Sequence, residues 1–251
     1  MNCYGLIGYP LGHSFSSAYF AAKFKREGIS GCLYENFPLE AIAHVAHLVQ
    51  EHPDLRGFNV TIPYKEAILP CLDLLSDEAQ AIRAVNCVKI NPQGWIGYNT
   101  DAYGFTVSLL KMVGGKLGTA GLRALVLGTG GSSKAVRYAL TKLEIPWRSV
   151  SRTAHPAGAL TYQELNEEVM ASHRLIVNTT PLGMSPNVDF FPDIPYRMVT
   201  PHHFLFDLVY NPSLTRFMEQ GSEYGATVQN GYDMLVAQAE KSWEIWNDNV
   251  L

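Results

Sequence analysis

The sequence predicts an α/β fold with two domains, one of which is a doubly wound parallel sheet of the Rossmann type. Two observations lead to this prediction. Short apolar runs such as Ala124–Leu127 alternate along the chain with segments of helical spacing, as in parallel strands that are joined by helices. In addition, the 251 residues, 47% of them hydrophobic, suffice for two modest cores.

The composition argues against nucleic-acid and membrane partners. The formal net charge is −4 and no basic block occurs, which argues against a nucleic-acid partner. The N-terminus lacks the basic start of a signal peptide, and no apolar run has the length of a membrane span. We therefore expect a cytoplasmic protein without membrane association, either a monomer or a homodimer.

Cysteines and histidines give no sign of a disulfide or metal framework. No Cys-x-x-Cys pair occurs, and the adjacent His202 and His203 would not converge on one ion. We predict no metal site and a reducing compartment. The scattered cysteines are Cys3, Cys32, Cys71 and Cys87.

The N-terminal segment alternates strands and helices. The pattern predicts strands at Tyr4–Gly8 and Cys32–Phe37 and helices at Phe15–Glu27 and Leu39–Glu51. The first helix starts in a hydroxyl-rich stretch that contains Ser14 and Ser16. These serines either cap the helix or, with nearby backbone N–H groups, hold a carboxylate or hydroxyl of a small polar ligand. This stretch alone does not decide between the two roles.

The next strand leads to a candidate for acid/base chemistry. The pattern predicts a strand at Phe58–Ile62 and a helix opened by Pro63, with Lys65 in its first turn. A cation there is opposed by the helix dipole, which is unusual for a lysine with only a structural role. A solvated helix lysine is the alternative. Asn59 and Thr61 share one strand face, so both can point where Lys65 points.

A hairpin and a helix follow. Arg83–Ile90 is predicted to pair with Trp95–Tyr98 across a turn. Asp101 then opens a helix from about Ala102 to Val113. Its carboxylate either caps the helix or is held beside Lys65 where an alcohol reacts, and the two roles are compatible because a capping side chain is rigidly placed.

The turn after Ala124–Leu127 is typical of a dinucleotide site. In Gly128-Thr129-Gly130-Gly131-Ser132, glycine lets the backbone approach a pyrophosphate closely. The helix after it, about Ser133–Leu143, points its N-terminal N–H groups at the phosphates. A structural turn in another α/β domain is the alternative, but the apolar stretch Trp147–Val150, about twenty residues on, favours the dinucleotide.

The end of the second strand of this domain indicates which dinucleotide binds. An NAD site usually presents Asp or Glu there, whereas this chain has Ser151-Arg152-Thr153. The planar guanidinium of Arg152 suits a 2′-phosphate. We therefore predict NADP, with a solvated surface arginine as the alternative.

Later strands of a doubly wound sheet are expected to end at the ligand crevice. Leu175–Val177 ends in a loop that contains Asn178, Thr179, Thr180 and Met184 and should lie along the ribose and nicotinamide. Phe204–Val209 is the next such strand and continues into Tyr210.

The last predicted element is an amphipathic helix over Gly231–Trp246. Leu235, Ala239 and Trp243 keep i, i+4 spacing and are predicted to face the core, with Gln238 on an adjoining face.

Together these motifs resemble the shikimate dehydrogenase family from end to end, in order as well as in content. The most specific are Asn-Val-Thr-x-Pro-x-Lys at Asn59–Lys65 and Asn-Thr-Asp at Asn99–Asp101, which a generic Rossmann protein has no reason to carry. Further matching pieces lie at His13–Ser16, Ala84–Asn86, Gly128–Gly131, Ser151–Thr153, Asn178–Met184, Asp207–Thr215 and Gly231–Ala239.

The resemblance implies reversible hydride transfer between NADPH and 3-dehydroshikimate, giving shikimate, in aromatic amino-acid biosynthesis. It implies that Lys65 and Asp101 form the catalytic pair. It assigns the substrate to Ser14, Ser16, Asn59, Thr61, Asn86, Tyr210 and Gln238, with Ser14, Ser16 and Tyr210 on the carboxylate. It assigns NADP to Gly128, Thr129, Gly130, Gly131, Ser132, Ser151, Arg152, Thr153, Asn178, Thr179, Thr180, Met184, Leu208 and Gly231.

The chain departs from the family pattern in local detail. Ser17 and Phe20 stand where the family commonly has Pro and His, and Ser151 replaces the usual Asn before the arginine. We predict a substrate-binding and catalytic domain at residues 1–101 plus 231–251, an NADP-binding domain at 102–230, and the active site in the cleft between them.

Two alternatives stay open. One is a quinate/shikimate dehydrogenase that uses NAD, against which Ser14 and Arg152 argue. The other is a non-catalytic sensor of shikimate-like acids and nucleotide, against which the presence of both Lys65 and Asp101 argues.

Overall fold

A computed structural model of the protein describes residues 1–11, 15–153 and 158–248. The chain forms two compact units, Met1–Thr100 with Ala239–Leu251, and Asp101–Gln238. Each unit has its own six-stranded sheet. The predicted two-domain α/β class is confirmed, while the predicted domain limits at residues 101 and 231 stay a prediction.

Among its described residues, the first unit contains six strands and three complete helices. In chain order these are β1 (Asn2–Gly8), α1 (Phe15–Glu27), β2 (Cys32–Pro38), α2 (Val45–Glu51), β3 (Leu55–Val60), β4 (Leu74–Leu75), α3 (Asp77–Ile82), β5 (Cys87–Asn91) and β6 (Gly94–Tyr98). Short 3₁₀ turns occupy Ile42–His44 and Leu69–Cys71.

The sheet of the first unit is mixed, with the order β2-β1-β3-β5-β6-β4. Strands β2, β1 and β3 are parallel, β5 is antiparallel to both β3 and β6, and β4 pairs in parallel with β6. The predicted hairpin is present as β5 and β6. Strands β3 and β5 meet with Asn59 opposite Cys87, which brings the carboxyl end of β3 beside the residues that precede β5.

Aromatic packing fixes the helices of the first unit on its sheet. The ring of Phe20 in α1 stacks on Tyr34 of β2 with centroids 4.4 Å apart. The ring of Trp246 stacks on Tyr4 of β1 at 4.9 Å, and its indole N–H donates to the Val88 carbonyl at 2.9 Å. Phe20 and Trp246 are both buried, so α1 and the C-terminal helix are tied to the same face of the sheet.

The second unit alternates strands and helices. In chain order these are α4 (Asp101–Met112), β7 (Ala124–Leu127), α5 (Gly131–Lys142), β8 (Trp147–Ser151), β9 (Leu160–Thr161), α6 (Glu167–Ser172), β10 (Leu175–Asn178), β11 (Phe204–Asp207), α7 (Arg216–Glu223), β12 (Thr227–Gln229) and α8 (Tyr232–Asn247), whose last residues belong to the first unit. Further 3₁₀ turns occupy Lys116–Thr119, Tyr162–Glu164 and Tyr196–Met198.

All strand pairs of the second sheet are parallel, in the order β12-β11-β10-β7-β8-β9. Counted from β7 as the first strand, this is the order 3-2-1-4-5-6 of dinucleotide-binding folds. The strand order reverses between β7 and β10, so the carboxyl ends of these two strands mark the expected ligand crevice.

Two predicted helices differ from the structure. The predicted helix at Leu39–Glu51 is α-helical only over Val45–Glu51. The helix predicted to start at Pro63 is absent, and residues 65–68 form turns that lead into the 3₁₀ turn at Leu69–Cys71. Pro70 lacks an N–H and restricts the backbone of the residue before it, which disfavours an α-helix through this segment. Lys65 therefore lies in no α-helix whose dipole could oppose its charge.

Helix α8 has the predicted extent but a shifted buried face. Leu235 and Trp243, predicted to face the core, are half-buried. The most buried series consists of Met234, Gln238, Ser242 and Trp246, together with Ala239. Every helix within the described ranges is too short or too polar to span a membrane.

Candidate active site

The glycine turn of the second unit joins β7 to α5 at the switch point. Gly128 has a φ of +107°, which only glycine adopts readily, and a Cβ there would stand 2.9 Å from the Thr179 hydroxyl. Gly130 has an extended backbone and precedes the first turn of α5, and a Cβ there would meet nothing within 4 Å. Space above Gly130 and the N–H groups of α5 suit a phosphate.

The predicted 2′-phosphate pocket lies at the carboxyl end of β8. Ser151 is half-buried, and its hydroxyl accepts the N–H of Thr153 at 3.4 Å. Arg152 and Thr153 are exposed. The guanidinium is thus available to an anionic group at the end of the strand next to the glycine turn, as a 2′-phosphate contact requires.

The loop after β10 is shaped by Asn178. This residue is fully buried; its amide donates to Asp207 at 2.9 Å, and its oxygen accepts from the N–H and hydroxyl of Thr180 at 3.0 and 2.6 Å. The hydroxyl of Thr179 donates to the Leu127 carbonyl at 2.6 Å. Asn178 and Thr179 therefore hold the loop against the glycine turn. Their direct contacts with the cofactor stay a prediction.

Met184 lies farther along the same loop and is 42% exposed. It lines an open groove of about 400 Å³ within the second unit. The other lining residues are Pro181, Leu182, Ser185, Pro186, Asn187 and Phe190.

A buried carboxylate anchors the ends of β10 and β11. Asp207 is fully buried, and it accepts from the Thr215 hydroxyl at 2.6 Å and the Val209 N–H at 3.0 Å as well as from Asn178. Burial raises the pKa of Asp207 to about 6, against the lowering effect of these hydrogen bonds. Thr215 also caps α7 by accepting the N–H of Met218. Asp207 and Thr215 belong to the sequence motif at Asp207–Thr215. Their role in anchoring the ends of β10 and β11 is apparent only from the folded structure.

The remaining predicted residues of the second unit lie after β11 and in α8. Leu208 and Tyr210 are half-buried, and burial raises the pKa of the Tyr210 hydroxyl. Gly231 packs against the Leu208 backbone so closely that a side chain would collide with it. Gln238 is 8% exposed and donates to the Leu235 carbonyl at 3.0 Å.

In the first unit, Asn59 is the centre of a buried polar cluster. Its Nδ2 donates to the Asn86 carbonyl at 3.1 Å and to the Ser242 hydroxyl at 2.9 Å, and its Oδ1 accepts from the Tyr34 hydroxyl at 2.9 Å. Because a carbonyl can only accept, the Asn86 contact fixes the orientation of the Asn59 amide. Both amide hydrogens of Asn59 are thus used within the unit, which leaves only its oxygen to accept a further hydrogen bond.

The Asn86 side chain forms two hydrogen bonds with Thr100 at the other end of this cluster. Its Oδ1 accepts the Thr100 N–H at 2.7 Å, and its Nδ2 donates to the Thr100 hydroxyl at 2.9 Å. Asn86 and Thr100 are 3% and 1% exposed, so these bonds are shielded from water. Thr100 immediately precedes the predicted catalytic Asp101.

Of the two serines predicted at the start of the first helix, only Ser16 is among the described residues. Ser14 lies outside the described residues. Ser16 is half-buried and interacts with the hydroxyl of the buried Tyr34, which in turn donates to Asn59. Thr61 is half-buried just after β3, with its N–H bonded to the Ile7 carbonyl at 2.9 Å. Ser16 is thereby connected to the Asn59 cluster through one tyrosine.

The predicted catalytic residues belong to separate units. Lys65 is half-buried in the turn after β3, and its carbonyl accepts the Val85 N–H at 2.7 Å. Asp101 is 6% exposed and is the first residue of α4, where the helix dipole favours a carboxylate. Their joint role stays a prediction.

Three residues of the first unit's polar cluster were not predicted as site residues, namely Tyr34, Thr100 and Ser242. A signal for Ser242 is present in the sequence, because a serine stands in the i, i+4 series of Met234, Gln238 and Trp246. Within the part of the chain that the structure describes, no three His, Cys, Asp or Glu side chains are grouped as metal ligands. The absence of a metal from the reaction stays a prediction.

Comparison with known proteins identifies relatives over nearly the whole chain. The family model for the shikimate dehydrogenase substrate-binding domain matches residues 6–88. The NADP-dependent shikimate dehydrogenase of Staphylococcus haemolyticus is 33% identical over 252 residues, covering 97% of this chain and 91% of that protein. The enzyme of the same name from Methanococcus aeolicus is 37% identical over 256 residues, covering 96% and 90%.

A solved structure is similar over the same extent of the chain. The shikimate 5-dehydrogenase of Thermus thermophilus, in complex with NADP(H) and shikimate, superposes with a TM-score of 0.83 at 32% identity. The superposition covers 98% of this chain and 94% of that one. The similarity therefore extends over both units.

Proposed function

The chain belongs to the shikimate dehydrogenase family, and on that premise we propose that it interconverts 3-dehydroshikimate and shikimate, with Lys65 and Asp101 as its catalytic pair. The enzyme is an NADP-dependent oxidoreductase of the shikimate pathway, which leads to the aromatic amino acids.

The buried polar cluster of the first unit carries this proposal. Asn59, Asn86 and Thr100 lie in the unit whose sequence matches the substrate-binding family model, and all three are buried. A small acid with several hydroxyl groups requires short polar side chains that are held in fixed directions. The hydrogen bonds of this cluster supply such directions, whereas a purely apolar core would not.

The residues around the glycine turn fit a dinucleotide. A Cβ at Gly130 would project into open space, and the backbone at Gly128 requires glycine. NADP, when bound, supplies or accepts the hydride. The amides of Gly131 and Ser132 bind the pyrophosphate, and Arg152 binds the 2′-phosphate.

The substrate ligands are assigned by role. Ser14, Ser16 and Tyr210 bind the carboxylate, and the ring hydroxyls are held by Asn59, Thr61, Asn86, Asp101 and Gln238. Asn59 takes part only as an acceptor, because both its amide hydrogens are used elsewhere. Lys65 and Asp101 give and take the proton of the oxygen on the reacting carbon, which is general acid/base catalysis.

The test is the initial rate of nicotinamide reduction by the purified protein, with shikimate and quinate each combined with NADP and NAD. We expect rapid turnover with shikimate and NADP only. Comparable rates with quinate or NAD would indicate the broader quinate/shikimate dehydrogenase. Nucleotide and shikimate binding without turnover would contradict the proposal and indicate a sensor.

Location and assembly are also proposed from the sequence. We infer a cytoplasmic enzyme that acts as a monomer or homodimer. Sedimentation of the purified protein distinguishes these two states.

A further inference from the structure

Ser242 of α8 lies at the centre of the polar cluster in the first unit. Its side chain is fully buried. Its hydroxyl accepts from Asn59 Nδ2 at 2.9 Å and lies 3.2 Å from the Thr100 hydroxyl. One serine on the C-terminal helix thus joins residues at two distant places in the chain.

Two of the partners of Ser242, Asn59 and Thr100, are both attached to Asn86. Asn59 donates to the Asn86 carbonyl at 3.1 Å, and Thr100 is held by the Asn86 side chain at 2.7 and 2.9 Å. Ser242, Asn59, Asn86 and Thr100 therefore form a closed ring of hydrogen bonds. A closed ring resists displacement of any one member more than an open chain does, because each member is held from two sides.

We propose that Ser242 is a positioning residue for the reaction. It does not touch the substrate; it closes the ring that fixes Asn86, a substrate ligand, and Thr100, the residue that leads into Asp101. The inference rests on the proposed function, since it assigns a role toward the residues that bind and convert shikimate. A serine with only a packing role would stabilise the unit without affecting the turnover of the folded enzyme.

The substitution Ser242→Ala tests this role. The substitution removes the Ser242 hydroxyl, to which one Asn59 amide hydrogen and the Thr100 hydroxyl are bonded, so the ring opens. Because small misplacement of reacting groups costs up to about a hundredfold in rate, we expect kcat/KM for shikimate to fall roughly tenfold. The KM for NADP should change by less than about twofold, because the ring lies outside the nucleotide-binding unit.

Ser108→Ala is the matched control. Ser108 is a 1% exposed helical serine in α4, and its hydroxyl accepts from Gln229 at 2.6 Å within the second unit. Ser108→Ala likewise removes a buried serine hydroxyl, but at a position outside the ring. If Ser242→Ala loses more than about threefold in kcat/KM beyond Ser108→Ala, positioning is supported. A smaller difference overturns the inference.

A double-mutant cycle with Thr100→Val shows whether the effect passes through the ring. Valine keeps the shape of Thr100 and removes its hydroxyl. We expect Ser242→Ala to cost clearly less in the Thr100→Val background than in wild type, because the two changes break the same contact. Full additivity of the two losses overturns the proposed route. Ser242→Cys, which fills the position of the hydroxyl but makes only weak hydrogen bonds, replaces Ser242→Ala in all measurements if the alanine variant does not fold.

Amide hydrogen exchange separates this inference from the proposed function. In Ser242→Ala, exchange at the Thr100 N–H should accelerate by roughly tenfold, whereas Ser108→Ala should leave it unchanged. If the wild-type protein does not oxidise shikimate, the proposed function fails, and the exchange result alone decides whether Ser242 fixes Thr100. Unchanged exchange at Thr100 overturns the inference whatever the activity.

Discussion

The backbone N–H of Val85 donates to the carbonyl of Lys65 at 2.7 Å, and the next residue, Asn86, holds Thr100. The residue before Val85 is part of the same frame, because the Ala84 carbonyl accepts from the Asn99 amide at 2.9 Å. Three consecutive residues thus anchor the turn that carries Lys65 and the segment that leads into Asp101. Both proposed catalytic residues depend on one short stretch of backbone.

Removal of the Lys65 ammonium should abolish most turnover and leave nucleotide binding intact. We expect Lys65→Met to lower kcat by roughly 10²- to 10⁴-fold, the usual contribution of general acid/base catalysis. The affinity for NADP, measured by titration, should stay within about twofold because Lys65 belongs to the other unit. Lys89→Met is the control, since Lys89 donates to the backbone carbonyl of Asp248 at the surface of the same unit. Equal kcat for Lys65→Met and wild type would refute the mechanism.

Arg152 should determine the preference for NADP over NAD. In Arg152→Ala we expect kcat/KM for NADP to fall by roughly 10- to 100-fold, because a charge-assisted phosphate contact is lost. The value for NAD, which has no 2′-phosphate, should change little. Arg148→Ala is the control, since Arg148 is an exposed arginine of the same strand that lies before its carboxyl end. Equal losses with both nucleotides would show that Arg152 does not contact the phosphate.

Asp207 should make the stability of the protein depend on pH. Its pKa in the folded state is raised from 3.8 to about 6 by burial. A raised pKa contributes stability that is present below the unfolded value and is lost as the pH rises through the folded value. Asp207→Asn removes this loss, and its amide can still donate to Thr215 while its oxygen accepts from Asn178 and Val209.

The measurement is the free energy of unfolding of wild type and Asp207→Asn by denaturant titration at about pH 4.5 and about pH 7.5. The stability of the variant relative to wild type should rise by roughly 2 kcal/mol between the two pH values, at about 1.4 kcal/mol for each unit of pKa difference. A relative stability that is the same at both pH values would mean that the pKa of Asp207 is not raised. Asp207→Ala, which leaves three donors without an acceptor, should be less stable than wild type at both.

The strand, glycine turn and helix at the switch point could be predicted from the sequence because their determinants are local. A buried strand ends at Leu127, a helix begins at Gly131, and Arg152 directly follows the next strand. The predicted helix at Lys65 was wrong for an equally local reason. Pro70 lacks an N–H and restricts the backbone of the residue before it, which disfavours an α-helix through this segment.

The role of Ser242 could not be predicted because it depends on contacts far apart in the chain. Periodicity favoured Leu235, Ala239 and Trp243 as the buried face of α8, whereas Ser242 and Trp246 are the more buried positions. The two series differ by a rotation of one residue, and a helix that packs on more than one side buries a wide stripe. Only the positions of Asn59 and Thr100 show why a serine stands there.

Gly128→Ala should damage both the fold and nucleotide binding. The backbone at Gly128 has a φ of +107°, and a methyl group would stand 2.9 Å from the Thr179 hydroxyl. We expect the second unit to lose roughly 1–3 kcal/mol of stability in the absence of nucleotide, and NADP affinity to fall with it. Denaturant unfolding followed by NADP titration measures the two effects. Wild-type stability in this variant would mean that the turn tolerates a side chain at Gly128.

Gly130→Ala should instead separate binding from stability. The backbone there, with φ −76° and ψ −175°, is accessible to any residue, and a methyl group would meet no protein atom within 4 Å. Stability without nucleotide should therefore stay within about 0.5 kcal/mol of wild type. The methyl group would occupy the space that the pyrophosphate approaches, so we expect NADP affinity to fall at least roughly tenfold. Wild-type NADP affinity in Gly130→Ala would mean that the pyrophosphate does not lie above this turn, because the added methyl group has nothing else to displace.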